Sequence, residues 1–93
     1  MFMFKWNPGK NRQLIQERGI SFDEVVQAIA DGYAVSDMPH WNREKYPNQR
    51  ILTVVIHNYA HLVPYVIDGE NYFLKTIIPS RKEQKRLRGE END

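Results

Sequence analysis

The chain contains no cysteine. That absence removes both a disulfide framework and any thiolate metal site. Long apolar runs are missing as well: nothing approaches the roughly 20 consecutive apolar residues of a membrane-spanning helix. The N-terminal "MFMFKWNPGK" is aromatic, but its apolar part is too short for a secretion signal and no small-residue cleavage site follows, so a cytoplasmic location is expected. Repeats, low-complexity segments and internal boundaries are absent, and 93 residues suffice for one core, so a single domain spanning 1–93 is expected. Nor is charge of one sign in excess. Lys plus Arg number 13 against 12 Asp plus Glu, a formal net charge of +1, which taken alone argues against a strong polyanion binder.

The distribution of that charge is uneven. Up to Ile20 the chain carries Lys5, Lys10, Arg12 and Arg18 against Glu17 alone, and from Lys75 to Arg88 it carries six cations against Glu83. The middle, Ser21 to Leu74, holds seven acids and three bases, and the tail 89–93, "GEEND", is acidic and expected to be disordered. A fold that brings the two basic ends together builds a positive patch that the total conceals.

Clear punctuation marks the elements. "FMFKW" alternates Phe2, Phe4 and Trp6 on one face and reads as a short strand. Asn7 as N-cap, Pro8 at the first helical position and Gly19 as terminator bound a first helix carrying Lys10, Arg12 and Arg18. Ser21 with Glu24 three residues on forms a capping box for a second helix, which presents Phe22, Val25, Val26 and Ile29 at helical spacing before Gly32. After a brief possible strand at "YAVSD", the stretch "MPHWNREKYPNQ" reads as a loop long enough to suspect a role. Three strands follow, "RILTVVI", "YAHLVPYV" and "YFLKTII", joined at His57-Asn58 and at the hairpin signal Asp68-Gly69. Pro64 has no amide to give, which predicts a bulge or an unpaired stretch there. "SRKEQKRLRG" closes the chain as a short basic helix capped by Ser80 and Glu83 and anchored by Leu87 alone. The expected class is α+β: an N-terminal strand, two amphipathic helices on a mainly antiparallel sheet of about four strands, and a short C-terminal basic helix.

"FKWNPGKN", "RGISFDEV", "KYPNQRI" and "FLKTIIPSRK" resemble, in order and spacing, segments of the BrnT-type toxins of type II toxin–antitoxin systems. The resemblance spans nearly the whole chain, with Asn7 where Asp is common and Ile78-Pro79-Ser80-Arg81 where the family more often has I-S-A-R. It implies a RelE-like fold and a metal-independent ribonuclease that needs no cofactor. It also implies a cognate antitoxin partner with a ribbon-helix-helix DNA-binding region, the toxin itself binding RNA but neither DNA nor membrane.

RNA cleavage without a metal uses the 2′-hydroxyl as nucleophile, so the protein must hold the scissile phosphate, neutralise its growing charge and move two protons. Arginine suits the second task, because a guanidinium stays charged and takes two phosphate oxygens at once. Arg81, opening the last helix, is the first candidate, and resemblance and charge logic agree on it. Lys75 on the preceding strand and Arg50 at the head of its strand are next, each equally able to form a cross-strand ion pair. Lys10 is the remaining cation that the resemblance matches. Proton transfer falls to Tyr46, His40 or a lysine of lowered pKa, and the sequence does not choose among them. Lys82, Lys85 and Arg86 are candidate RNA contacts, although such residues are more often a solvated helix face. Trp41, in the loop, is positioned to stack a base, whereas Trp6 alternates with Phe4 and belongs to the core. His57 and His61 have an H-x-x-x-H spacing but straddle a turn, so no metal site is expected. The missing base leaves a second class open: an RNA- or protein-binding module without catalysis.

Overall fold

A computed structural model describes residues 3–89; Phe2 of the first strand and 90–93 of the acidic tail lie outside the described residues. The order is β1 (Met3–Trp6), α1 (Pro8–Arg18), α2 (Phe22–Ala30), β2 (Ala34–Pro39), β3 (Gln49–Ile56), β4 (Tyr59–Asp68), β5 (Asn71–Leu74), β6 (Ile78–Pro79) and α3 (Arg81–Leu87). The class is α+β. Among the described residues six strands, where about four are expected, form one mixed open sheet in the order β1-β5-β4-β3-β2, with β6 also paired to β4. β1 runs parallel to β5 and every other pair is antiparallel. No helix among the described residues is long and apolar enough to cross a membrane.

Local chemistry accounts for the boundaries. The Asn7 side chain accepts from the Lys10 amide, and Gly19, at φ 65°, ends α1 in the left-handed region. Ser21 and Glu24 complete their capping box in both directions. His57 and Asn58 both take positive φ, 54° and 59°, the requirement of the tight two-residue turn that joins β3 to β4.

The expected last strand, "YFLKTII", is broken. Leu74 and Ile77 are both fully buried in the one core. Three residues apart, they would point to opposite faces of a continuous strand, so the chain leaves the ladder after Leu74 and resumes as β6. Pro64 sits at that same break. β4 pairs with β3 straight through it, Pro64 opposite Ile51, with no bulge. On its other edge β4 changes partner from β6, at His61 and Leu62, to β5, from Tyr65 onward. The Pro64 carbonyl accepts the Lys75 amide at 2.8 Å. Its missing N–H therefore faces the gap between two partner strands, where no carbonyl waits for it.

The core lies on one face of the sheet, where Leu52, Val54, Ile56, Val63, Tyr65 and Leu74 meet Phe22, Val25 and Ala28 of α2. α1 covers less than its expected amphipathic pattern implies. Leu14 is its only buried residue and Ile15 is half exposed. Polar ties hold it instead: Asn11 accepts the Phe22 amide at 2.7 Å, and Arg18 donates to the Ile77 carbonyl at 2.7 Å, satisfying a group that the strand break would otherwise strand. α3 also differs from expectation, since Leu87 is exposed. Gln84 is the anchor, its side-chain oxygen taking the Ala60 amide at 2.9 Å while the Ser80 amide donates to the Ala60 carbonyl.

Candidate functional site

Among the described residues the second face of the sheet has no helical layer of its own. Ser36, Thr53, Leu62 and Ile78 form one cross-strand row there, and Met38, Ile51 and Pro64 form the next. α3 stands along one side of this surface and the loop after β2 along another. Between them lies a cavity of about 610 Å3 with an apolar floor at Met38, Ile51 and Leu62. Trp41, Lys82 and Arg86 line its walls. These are three of the four residues expected to contact RNA. The fourth, Lys85, is exposed on α3 outside the cavity.

The loop between β2 and β3 is more ordered than a polar connector needs to be. The His40 amide donates to the Gln49 carbonyl at 3.0 Å, closing the loop, and the Asn42 side chain accepts the Lys45 amide, three residues on, at 3.1 Å as an N-cap does. His40 is buried, its ring stacked on Trp41 at a centroid distance of 4.1 Å and packed against Tyr46 at 4.6 Å. Its Nδ1 accepts the Asn42 amide at 3.0 Å, which puts the ring proton on Nε2. Trp41 itself is 82% exposed. Tyr46 carries Lys45 over its ring at 5.4 Å and opens on a smaller cavity of about 160 Å3 beside Val66.

The candidate catalytic cations divide between the two faces. Lys75 follows Phe73 on the open face and lies over that ring, Nζ 5.2 Å from its centroid. Lys5 pairs in register with Phe73 and shares this face. Arg81 is exposed at the start of α3 and makes no ion pair among the described residues. Arg50 lies on the helix-covered face, opposite Tyr65. There it makes a cross-strand ion pair: Nε donates to Asp37 Oδ1 at 3.0 Å and a second guanidinium nitrogen donates to the Asp37 carbonyl at 3.1 Å. The Tyr65 hydroxyl donates to the same carboxylate, 2.9 Å from each oxygen. Burial, and then the Asp37 contact, push the Tyr65 phenol up to about 12. Lys10 rides on α1, whose Leu14 packs into the core of that same covered face. Arg81, Lys75, Lys82 and Arg86 therefore belong to one side of the sheet, and Arg50 and Lys10 to the other.

The remaining histidines are occupied. His57 Nε2 meets Glu24 Oε1 at 2.9 Å. Partial burial works to raise the Glu24 carboxyl, but the bonds from His57 and Ser21 outweigh it and leave the group below its ordinary 4.5. His61 is buried, with Nδ1 2.8 Å from the Tyr59 carbonyl, and burial pushes it below its ordinary 6.5.

The apolar floor and the Asp37–Tyr65 pair were not singled out by motif. A signal for the floor exists in "RILTVVI", which is apolar at Ile51 and Val55 as well as at Leu52, Val54 and Ile56. A strand apolar on both sides needs two covering layers, and the described helices supply a full layer to one. Comparison with protein-family models, curated proteins and solved structures finds no match.

Proposed function

We propose that this chain is the toxin of a type II toxin–antitoxin pair with a RelE-like fold, a metal-independent endoribonuclease acting on cytoplasmic RNA and silenced by a cognate antitoxin. The antitoxin carries a ribbon-helix-helix region, and that partner, not this chain, contacts DNA. One observation carries the reading. Lys82 and Trp41 line a single cavity on the uncovered sheet face, with Arg86 beside them paired to Glu83, and a cation with an exposed aromatic suits a single-stranded nucleic acid. Lys75 on the same face and Arg81 at the head of α3 extend the positive surface. In this reading Arg81 takes the charge that grows on the scissile phosphate.

Induced expression in bacteria tests it. Growth should arrest, and Arg81→Ala should relieve the arrest while the protein accumulates in folded form; normal growth with abundant soluble wild-type protein would sink the toxin reading. RNA affinity should fall steeply as salt rises, because phosphate contacts release counterions.

A second reading is favoured by the engagement of Arg50 with Asp37 and its place on the other face. With that cation committed and no evident base, the cavity serves a non-catalytic RNA- or protein-binding module. Purified protein separates the two: cleavage of RNA in excess chelator supports the ribonuclease, and retention of intact RNA supports the binder.

A further inference from the structure

We infer that the cavity between α3 and the loop is a subsite for one nucleotide, its base stacked on Trp41 and its phosphate at Lys82, with His40 as the residue that positions the indole. The inference deepens the RNA reading above and rests on it for the source of the ligand.

Three observations lead to it. Trp41 is 82% exposed, lines the cavity, and has one side of its indole already stacked by His40. His40 stacks on it at 4.1 Å yet does not line the cavity, whereas Trp41 does. The imidazole therefore backs the indole and leaves the cavity side for a ligand. The backing is rigid, since the His40 ring is buried, bonded to the Asn42 amide and packed on Tyr46, so the platform is set before a ligand arrives. The size also fits: about 610 Å3 falls within the roughly 300–1,000 Å3 of small-molecule sites.

Charge selects the polar end. Arg86 is bonded to Glu83, and both side chains line the wall, so this pair is close to neutral. Lys82 makes no ion pair among the described residues and supplies the uncompensated positive charge of the wall. The floor of Met38, Ile51 and Leu62 suits the flat, apolar faces of a base and offers nothing to a second phosphate. A planar heteroaromatic group joined to one phosphate matches this arrangement; a bare anion or an unphosphorylated sugar does not.

The experiment is a titration of the full chain with adenosine 5′-monophosphate, and separately with ribose 5-phosphate, following the two indole N–H signals by NMR. Trp6, packed on Phe22 at 5.8 Å in the core, is the internal control, and Trp41→Phe assigns the peaks. The mononucleotide should move the Trp41 signal and leave that of Trp6 unchanged, and ribose 5-phosphate should bind at least about ten-fold more weakly. Trp41→Ala should cost about ten-fold in affinity. Lys82→Ala should make adenosine and its monophosphate bind equally. His40→Asn should shift the Trp41 signal before any ligand is added and weaken binding about three- to ten-fold, and His40→Phe, which restores a stacking ring, should recover part of that loss. Equal binding of ribose 5-phosphate, or an unmoved Trp41 signal, overturns the inference. Growth arrest without nucleotide binding at Trp41 defeats the subsite alone, and nucleotide binding without growth arrest defeats the toxin reading alone.

Discussion

The two faces of the sheet are built from the same strands but serve different ends. On the covered face, Val54, Val63, Leu74 and Phe22 are wholly removed from water, and Asp37 and Arg50 neutralise each other and hold the Tyr65 hydroxyl. On the open face the apolar residues form the floor of a cavity lined by Lys82, while Lys5 and Lys75 lie elsewhere on that face beside Phe73; none of the three makes an ion pair among the described residues. One face spends its polar groups on itself, and the other keeps them available. Stability is therefore expected to reside in the covered face and binding in the open one, so substitutions on the two should separate cleanly.

The largest effect tests the covered face. Phe22→Ala should cost about 3–5 kcal/mol, since the ring is fully buried and the hole it leaves is walled by Trp6 and Val25. Urea denaturation measures this, and a loss below about 1 kcal/mol would mean that α2 is not the principal cover. Asp37→Ala should follow at about 1–3 kcal/mol, because it frees the Arg50 charge and leaves the buried Tyr65 hydroxyl without its acceptor. Tyr65→Phe should cost less than Asp37→Ala, since it removes the donor and leaves the ion pair intact.

Stability against pH should have two limbs, both from the covered face. His61 has its folded pKa below the unfolded 6.5, so its contribution is present above 6.5 and is lost as pH falls from there through the folded value. Glu24 adds a further loss on acidification below 4.5, again because its folded value is depressed. Tyr65 has the opposite sign: its folded pKa near 12 exceeds the ordinary 10, so its contribution is complete below 10 and disappears as pH climbs toward 12. Thermal melts across pH check this, and Tyr65→Phe should flatten the alkaline limb without touching the acid one.

The smallest stability effects belong to the open face. Lys82→Ala and Trp41→Ala should change unfolding free energy by no more than about 0.5 kcal/mol. The same two substitutions should weaken RNA binding, and Lys82→Ala should also lower the slope of affinity against salt by about one. A substantial stability loss at Lys82 would break the division between the faces.

How far the sequence reaches can be judged residue by residue. Asn7, Gly19, the Ser21–Glu24 box and the His57-Asn58 turn are legible because each encodes a local backbone demand, and local demands are met by neighbours in the chain. Trp41, Lys82 and Arg86 were recognisable as candidates from residue type alone. Their meeting was not, since Trp41 and Lys82 lie 41 positions apart in the chain and only the sheet brings the loop and α3 together. Arg50 shows the reverse: its charge and its place at the head of β3 are plain in the sequence, but whether it faced the cavity or Asp37 was settled by the register of β2 on β3.

The sequence by itself determined where helices and tight turns begin and end, along with the two basic ends of the chain, because caps and φ constraints act within a few residues. Tertiary structure alone decided that the last strand breaks, since burying both Leu74 and Ile77 in one core requires the ladder to be interrupted. It alone decided also which cations share a face. A side chain's face depends on strand pairing across the whole fold, and a shift of one residue reverses it.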